Sequence, residues 1–138
     1  MITIKSSREI ELMRDTCSLA KSTLEFIEPF VKPGVSTLEI NDLCHDFIVK
    51  NGAVPSPLNY HGFPKSICTS INNVICHGIP NKKSVLCDGD IINIDITTFL
   101  NNFHGDTSKT FLIGNVRDDV RKLVDITYLC MMEGIKEV

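Results

Sequence analysis

Asp95 and Asp106, eleven positions apart, are the residues whose types and spacing most clearly suggest chemistry. The segment DGDIINIDITTF alternates apolar and polar side chains, which predicts a strand with isoleucines on one face and Asp95 on the other. Asn101 and Asn102 suit a two-residue hairpin turn, because asparagine tolerates positive φ. The resulting register sets Thr97 opposite Asp106, so both carboxylates share one face as diagonal neighbours, about 7–8 Å apart at the backbone.

Two like charges at this spacing repel each other unless a cation lies between them. Carboxylate oxygens on a rigid sheet are hard ligands that suit a divalent metal or a pair of them. The alternative is that this polar face is simply solvated, as most such faces are. A catalytic metal centre needs at least three protein ligands and an open position for water, so the pair amounts to half of a site.

Three histidines are further candidates. His77 precedes Gly-Ile-Pro, which orients its ring; it can hydrogen-bond a substrate carbonyl, stabilise an oxyanion or transfer a proton, or simply satisfy a loop carbonyl. His104 lies on the carboxylate face near the turn, where we expect it to be exposed. His61 lies in a Pro-rich loop with Tyr60 and Phe63, where it can form part of a pocket wall or of a small satellite core.

Composition bounds the class of protein. The 138 residues are 43% hydrophobic and 22% charged, as expected of one globular domain, and the formal charge of −3 gives no general attraction to nucleic acid. The N-terminus reaches charged residues at once, and no stretch is long and apolar enough to span a membrane, so we expect a cytosolic protein. Six cysteines without a C-x-x-C pair are expected to be thiols rather than a zinc site.

Two helices are predicted to precede the strands. Capping boxes at Ser6 to Glu9 and at Ser36 to Glu39 begin them. The first helix is expected to end before Pro29, and the second at Asn51-Gly52. His45 falls on the outer face of the second helix, where we expect it to be solvated.

The segment SICTSINNVICHG predicts a first hairpin, ahead of the aspartate hairpin. A turn at Asn72-Asn73 would set Cys68 opposite His77. A last helix is expected to begin near Arg117 or Asp118, with a buried stripe formed by Val120, Leu123, Val124, Thr127, Cys130 and Met131. The order helix, helix, hairpin, hairpin, helix predicts an α+β fold with an antiparallel sheet.

The run NYHGFPKSICTSINNVICHGIP, followed by DGDIINIDITTFLNNFHGDTSKTF, closely resembles the bacterial type I methionine aminopeptidases. The resemblance extends from the first helix to the chain end and is to the N-terminal half of that family. It implies the pita-bread fold, in which two pseudo-symmetric α+β halves enclose a paired-metal site. It also implies removal of the initiator methionine from new polypeptides, with a metal-activated hydroxide as the nucleophile.

The resemblance assigns roles residue by residue. Asp95 in NIDIT is similar to the family's bidentate ligand to one metal, and Asp106 in HGDTS to the ligand that bridges both. His77 in CHGIP is similar to the histidine that contacts the substrate and assists the tetrahedral intermediate. Tyr60, Phe63 and Cys68 match positions that line the pocket for the methionine side chain.

The cofactors and partners that the resemblance implies are two divalent metal ions (Mn, Fe, Co or Zn) and nascent polypeptides with N-terminal methionine at the ribosome. Asn72 and Val74 resemble positions whose backbone carbonyls bind a monovalent cation in some members. The intact family members are expected to be cytoplasmic monomers without nucleic-acid specificity or membrane attachment.

The chain departs from the family pattern in one respect. One histidine and two glutamates that complete the metal site, and a second substrate-contacting histidine, come from a second half that has no counterpart here. Glu133 and Glu137 lie outside any matching motif and do not replace them. We therefore expect residues 1–138 to form a single truncated domain that lacks the second half and is itself inactive.

Two alternatives remain open at this point. The first is a non-catalytic module of the same fold that binds a peptide or a partner protein in the cleft. The second is a related enzyme such as an Xaa-Pro peptidase, although the strings HGIP and NYHGFPKS fit the methionine enzymes better.

Overall fold

A computed structural model describes residues 3–138. Its three α-helices are α1 (Ser7–Ile27), α2 (Thr37–Lys50) and α3 (Asp118–Lys136). Its four strands are β1 (Val54–Pro55), β2 (Cys68–Ile71), β3 (Ile91–Leu100) and β4 (Phe103–Leu112). Short 3₁₀ turns at Glu28–Phe30 and Tyr60–Gly62 complete the regular structure. This is the predicted α+β class.

Both predicted capping boxes are confirmed. The Ser6 hydroxyl accepts the Glu9 N–H at 3.3 Å, and the Glu9 carboxylate accepts the Ser6 N–H at 2.7 Å. Ser36 and Glu39 repeat this arrangement at the start of α2, with distances of 3.3 and 2.9 Å. Each box satisfies N–H groups that the first helical turn leaves free. The α-helical part of α1 ends at Ile27, ahead of Pro29, as predicted.

Strand β3 is the centre of one antiparallel sheet. It pairs with β4 on one side, and with β1 and β2 on the other. The register predicted for the aspartate hairpin is confirmed, since Thr97 pairs with Asp106 and Asp95 with Ser108. The two turn asparagines have φ of 56° and 66°, the positive values that such a turn requires.

The apolar face of β3 forms the core. Ile92, Ile94 and Ile96 are fully buried against helices α1 and α2, which contribute Ala20, Leu24, Ile27, Ile40, Cys44 and Ile48. The next residue on that face is Thr98, whose hydroxyl lies 3.0 Å from the Thr16 hydroxyl of α1. With one face covered in this way, the opposite face of β3 is left for the predicted site.

The prediction of a second strand in the first hairpin is wrong. A turn follows β2 at Asn72-Asn73, but residues 74–79 do not form a strand, and the regular partner of β2 is β3, along its other edge. Cys68 is therefore not paired with His77; the Thr69 N–H donates to the Gly78 carbonyl at 2.8 Å. The reason is that His77 has φ of 55°, outside the extended region, so the returning segment cannot continue as a strand beside β2.

The expectation of a solvated His45 is also wrong. Its side chain is half-buried, and Nδ1 lies 2.8 Å from the Oγ of Ser66. Ser66 is buried, and its N–H donates to the side chain of Asn41 on α2 at 2.9 Å. The Pro-rich segment thus folds back onto α2, a contact that helical periodicity does not reveal.

Helix α3 begins at Asp118 as predicted, but its predicted buried stripe is wrong. None of its residues is buried, and Leu123 and Met131 are 60% and 51% exposed. A gap of about 1020 Å³ separates the helix from α1 and the outer strand β4. The apolar periodicity of α3 is real, yet in residues 3–138 no element closes this gap.

Leu123→Ala is therefore expected to change the free energy of unfolding by less than about 0.5 kcal/mol, because truncating an exposed side chain creates no cavity. Urea denaturation followed by circular dichroism measures this. Ile126→Ala, at a second exposed position of α3, is the matched control. A loss of about 2 kcal/mol or more would mean that α3 packs on the sheet in solution.

Within residues 3–138, no helix is both long enough and apolar enough to cross a membrane.

Candidate metal and peptide site

A cleft of about 720 Å³ lies over the polar face of the β3–β4 hairpin and is called the site cleft below. The Pro-rich loop after β1 and the segment after β2 form its walls. The six residues predicted for the site all line it: Asp95, Asp106, His77, Tyr60, Phe63 and Cys68. The structure therefore brings together residues that are up to 46 positions apart in the sequence.

The two carboxylates lie on the same face of the hairpin, as predicted. Asp95 is half-buried and Asp106 is exposed. The pKa of Asp95 is raised, first because burial removes water from the carboxylate, and then by the charge and hydrogen bond of Asp106, while His77 opposes the shift. The two acidic groups thus repel each other enough to favour either a shared proton or a cation.

The donor set fits a divalent metal in kind, because paired carboxylate oxygens are hard ligands. The number of ligands is too small for a complete metal site. Within residues 3–138, no group of three histidine, cysteine or acidic side chains is placed to hold a metal ion. Asp95 and Asp106 can therefore be two ligands of a metal centre, and residues outside this chain would have to complete it.

His77 has a left-handed backbone, with φ of 55°, which is unusual for a residue other than glycine. Its side chain is exposed to the site cleft. The next residue, Gly78, lies so close to β2 that a Cβ atom would come within 2.0 Å of the Thr69 carbonyl oxygen. Only glycine permits this approach, so it determines where the HGIP segment places His77.

The remaining wall is largely apolar. Tyr60 is 68% exposed, with its ring in an edge contact to His61 at 4.4 Å, while Phe63 is half-buried. Cys68 is buried, and burial, followed by the charge of Asp95, raises the pKa of its thiol to about 11. The thiol is therefore neutral near pH 7. His61 is exposed and lines the cleft. Of the two alternatives for this residue, the pocket wall is therefore confirmed and the satellite core is not.

Sequence reasoning missed Ser56 and Thr97, which also line the site cleft. Thr97 had a signal, because it alternates with Asp95 on the polar face of β3; Ser56 had none. His104 is exposed as predicted, and it lines the cleft as well. Its Nδ1 lies 2.9 Å from the Ser56 Oγ, and its ring centroid lies 4.7 Å from that of Phe99.

The predicted monovalent-cation site lies at the turn after β2. Asn72 has φ of 50°, and its side chain donates to Asp90 at 2.8 Å and accepts the Ile91 N–H at 3.0 Å. The Val74 N–H donates to the Ile71 carbonyl at 3.0 Å. These contacts give the turn a defined shape, and the cation itself stays a prediction.

Comparison with known proteins gives concordant results. The model of metallopeptidase family M24 matches residues 11–138. A curated relative, the methionine aminopeptidase of Rickettsia prowazekii (strain Madrid E), is 51% identical over 137 residues, which are 99% of this chain and 52% of that protein. The chain thus spans about half the length of the curated relatives it matches.

Solved structures agree on the fold. The crystal structure of methionine aminopeptidase from Rickettsia prowazekii superposes with a TM-score of 0.95 at 52% identity, covering 98% of this chain and 54% of that one. Methionine aminopeptidase from Thermotoga maritima gives a TM-score of 0.96 at 27% identity, covering 100% and 55%. The observed α+β arrangement is therefore one half of the pita-bread fold.

The family match covers most of the chain and includes both aspartates and the HGIP segment. From this match, the chain belongs to metallopeptidase family M24, and its similarity within that family is to the N-terminal half of the methionine aminopeptidases.

Proposed function

We propose that this chain supplies the first half of the active site of a metal-dependent aminopeptidase that removes N-terminal methionine from polypeptides. The observation that carries the proposal is the convergence of Asp95 and Asp106 in a cleft whose other walls are His77 and an apolar pocket. Two adjacent acidic groups, one of them partly desolvated, are costly to keep ionised unless cations bind there.

Asp95 and Asp106 would hold the metal ions, with Asp106 as the ligand common to both. When bound, paired divalent ions (Mn, Fe, Co or Zn) supply Lewis acidity and make a hydroxide nucleophile available near neutral pH. This chain places the two carboxylates on a rigid hairpin, so little reorganisation is needed when the ions bind.

His77 is proposed to hydrogen-bond the scissile carbonyl or amide of the substrate. Its ring is set beside the carboxylates before any substrate arrives, and preorganised donors contribute most where charge develops in the transition state. Tyr60, Phe63 and Cys68 would hold the methionine side chain, since a flexible, polarisable thioether fits a pocket of aromatic rings and a neutral thiol.

The proposed substrates are nascent polypeptides with N-terminal methionine, met at the ribosome in the cytosol by a monomeric enzyme. The name that the relatives share, methionine aminopeptidase, supports the class of substrate. In a chain that also carries the second half, we expect methionine release from Met-Gly peptides and no cleavage of Xaa-Pro peptides. The reverse preference would overturn the proposed specificity.

The 138-residue chain by itself is expected to release methionine from a Met-Gly-Met peptide at no more than background rate. Two carboxylates alone hold a metal weakly, because a catalytic centre needs at least three protein ligands. The measurement is a chromatographic assay of free methionine with added manganese or cobalt. Sustained turnover that disappears in Asp106→Asn would contradict this expectation and show a complete site within residues 1–138.

A non-catalytic binding module of the same fold is the second candidate. It is favoured by the incomplete ligand set within residues 3–138. The two candidates differ in their dependence on metal: a binding module should hold a Met-Gly peptide equally well with EDTA or manganese. The peptidase half-site should hold the peptide better with manganese.

A further inference from the structure

The backbone of His77 is restrained by a pair of hydrogen bonds to strand β2, called the Gly78 clasp below. The Thr69 N–H donates to the Gly78 carbonyl at 2.8 Å, and the Gly78 N–H donates to the Ser70 Oγ at 3.2 Å. Thr69 and Ser70 are each 5% exposed. Both polar groups of Gly78 are thus held by two consecutive, buried residues of one strand.

The Gly78 clasp adjoins His77, whose backbone conformation must be imposed by its surroundings. A left-handed histidine is unfavourable and persists only where the surrounding structure imposes it. On the other side of His77, Ile75 is 94% exposed and Cys76 is also exposed. The last hydrogen bond before His77 is that of Val74, three residues earlier, whose N–H donates to the Ile71 carbonyl at 3.0 Å.

We propose that Ser70 is a positioning residue, which holds His77 in the site cleft through the Gly78 clasp. The inference rests on the proposed function, in which His77 contacts the substrate. Ser70 differs from the Thr69 half of the clasp because its contribution comes from a side chain. Its hydroxyl can therefore be removed without changing the backbone ladder between β2 and β3.

Ser70 has the chemistry that this role needs. Gly78 is only partly exposed, and its N–H points at β2, where a Cβ-bearing residue could not approach. Without the Ser70 oxygen, this N–H loses its partner, and an unpaired, partly buried donor is costly. The segment would then move away from β2 toward water, and His77 would leave its left-handed conformation.

The test uses the 138-residue chain in three forms: wild type, Ser70→Ala and Ser70→Thr, the last of which keeps the hydroxyl. Nuclear magnetic resonance measures hydrogen exchange of the Gly78 amide and the HN–Hα coupling of His77, which reports its φ. In Ser70→Ala we expect the Gly78 amide to exchange about tenfold faster, the loss that corresponds to one hydrogen bond, and the His77 coupling to change. In Ser70→Thr we expect both values to stay near the wild type.

Ser84→Ala is the matched control, because Ser84 Oγ also accepts a hydrogen bond, from Asn81 at 2.8 Å, but lies outside the site cleft. The proposal is overturned if Gly78 exchange and the His77 coupling are unchanged in Ser70→Ala, or change equally in Ser84→Ala. Should Ser70→Ala not fold, Ser70→Cys keeps the volume with a much weaker acceptor and gives the same readouts.

The proposed function is tested separately in the same samples. Addition of the dipeptide Met-Gly with Zn²⁺ is expected to shift the His77 ring signals of the wild type and of Ser70→Thr, and to shift those of Ser70→Ala at least threefold less. If the wild-type ring signals do not respond, the substrate role of His77 fails. The exchange and coupling data would still decide whether Ser70 holds His77.

Discussion

Gly105→Ala is expected to lower the free energy of unfolding by about 3 kcal/mol, the largest stability change proposed for this chain. A Cβ atom at this position would lie 2.6 Å from the Thr16 carbonyl oxygen and from the Cys17 nitrogen. These are backbone atoms of α1, so no side-chain rotation relieves the overlap. The helix must move away from β4, which also separates the paired hydroxyls of Thr16 and Thr98.

Urea denaturation followed by circular dichroism measures this loss. Gly134→Ala is the matched control, because apart from the adjoining backbone of helix α3 no atom lies within 4 Å of a Cβ at that position. There alanine is expected to leave stability unchanged or to raise it by up to about 1 kcal/mol, as helix propensity predicts. Equal effects of the two substitutions would contradict the close approach of α1 to β4.

The same substitution bears on the site, because Gly105 immediately precedes Asp106. Displacement of α1 from β4 would disturb the hairpin that holds both carboxylates on one face. We therefore expect Gly105→Ala to weaken binding of manganese as well as stability, whereas Gly134→Ala should leave it unchanged. The position of the two carboxylates thus depends on the packing of α1 against β4.

Asp106→Asn is expected to weaken binding of Mn²⁺ to the 138-residue chain by at least tenfold. The variant removes one of only two carboxylates that converge in the site cleft, and an amide oxygen is a poorer ligand for a hard divalent cation. Isothermal titration calorimetry measures the affinity. Asp125→Asn, at an exposed position of α3, is the control and should bind as the wild type does.

The same variant should be more stable than the wild type when metal is absent. In the folded chain the pKa of Asp95 is raised above its ordinary value of 3.8, and Asp106 is the second cause after burial. A carboxyl group with a raised folded pKa contributes stability that is present below its unfolded pKa and lost as the pH rises through the folded pKa. Removing Asp106 makes this loss smaller.

Urea denaturation in EDTA from pH 3 to pH 7 tests the sign. The curves of the wild type and Asp106→Asn should separate above about pH 4, with the variant more stable, and converge below it. A wild type that is the more stable form at pH 7 without metal would contradict mutual repulsion of the carboxylates. Lower metal affinity with higher metal-free stability is the pattern expected of a functional site.

Local rules account for what was predicted correctly. The capping boxes at Ser6 and Ser36 use side chains three residues apart, so no distant part of the chain is involved. The face shared by Asp95 and Asp106 follows from the two-residue period of a strand and from a two-residue turn. Both kinds of evidence lie within a few residues of the feature they predict.

The errors share an origin in contacts between distant segments. His45 was expected to be solvated because helical periodicity places it outward, but the Pro-rich loop covers it through Ser66. The second arm of the first hairpin was expected to pair with β2, but Gly78 packs closely against Thr69 and His77 leaves the extended conformation, so no strand forms there. Leu123 was expected to be buried because α3 is amphipathic, but periodicity does not reveal what lies beneath a helix.

The amino-acid sequence by itself determined the helix starts and the aspartate hairpin with its register, and its resemblance to the methionine aminopeptidases supplied the six residues proposed for the site. Only the tertiary structure decided which wall of the cleft each residue occupies, how Gly78 sets His77 against β2, and that α3 stands away from the sheet. The physical reason is the range of the interactions. Capping, alternation and turn geometry act between near neighbours, whereas burial and close backbone approach depend on segments far apart in the chain.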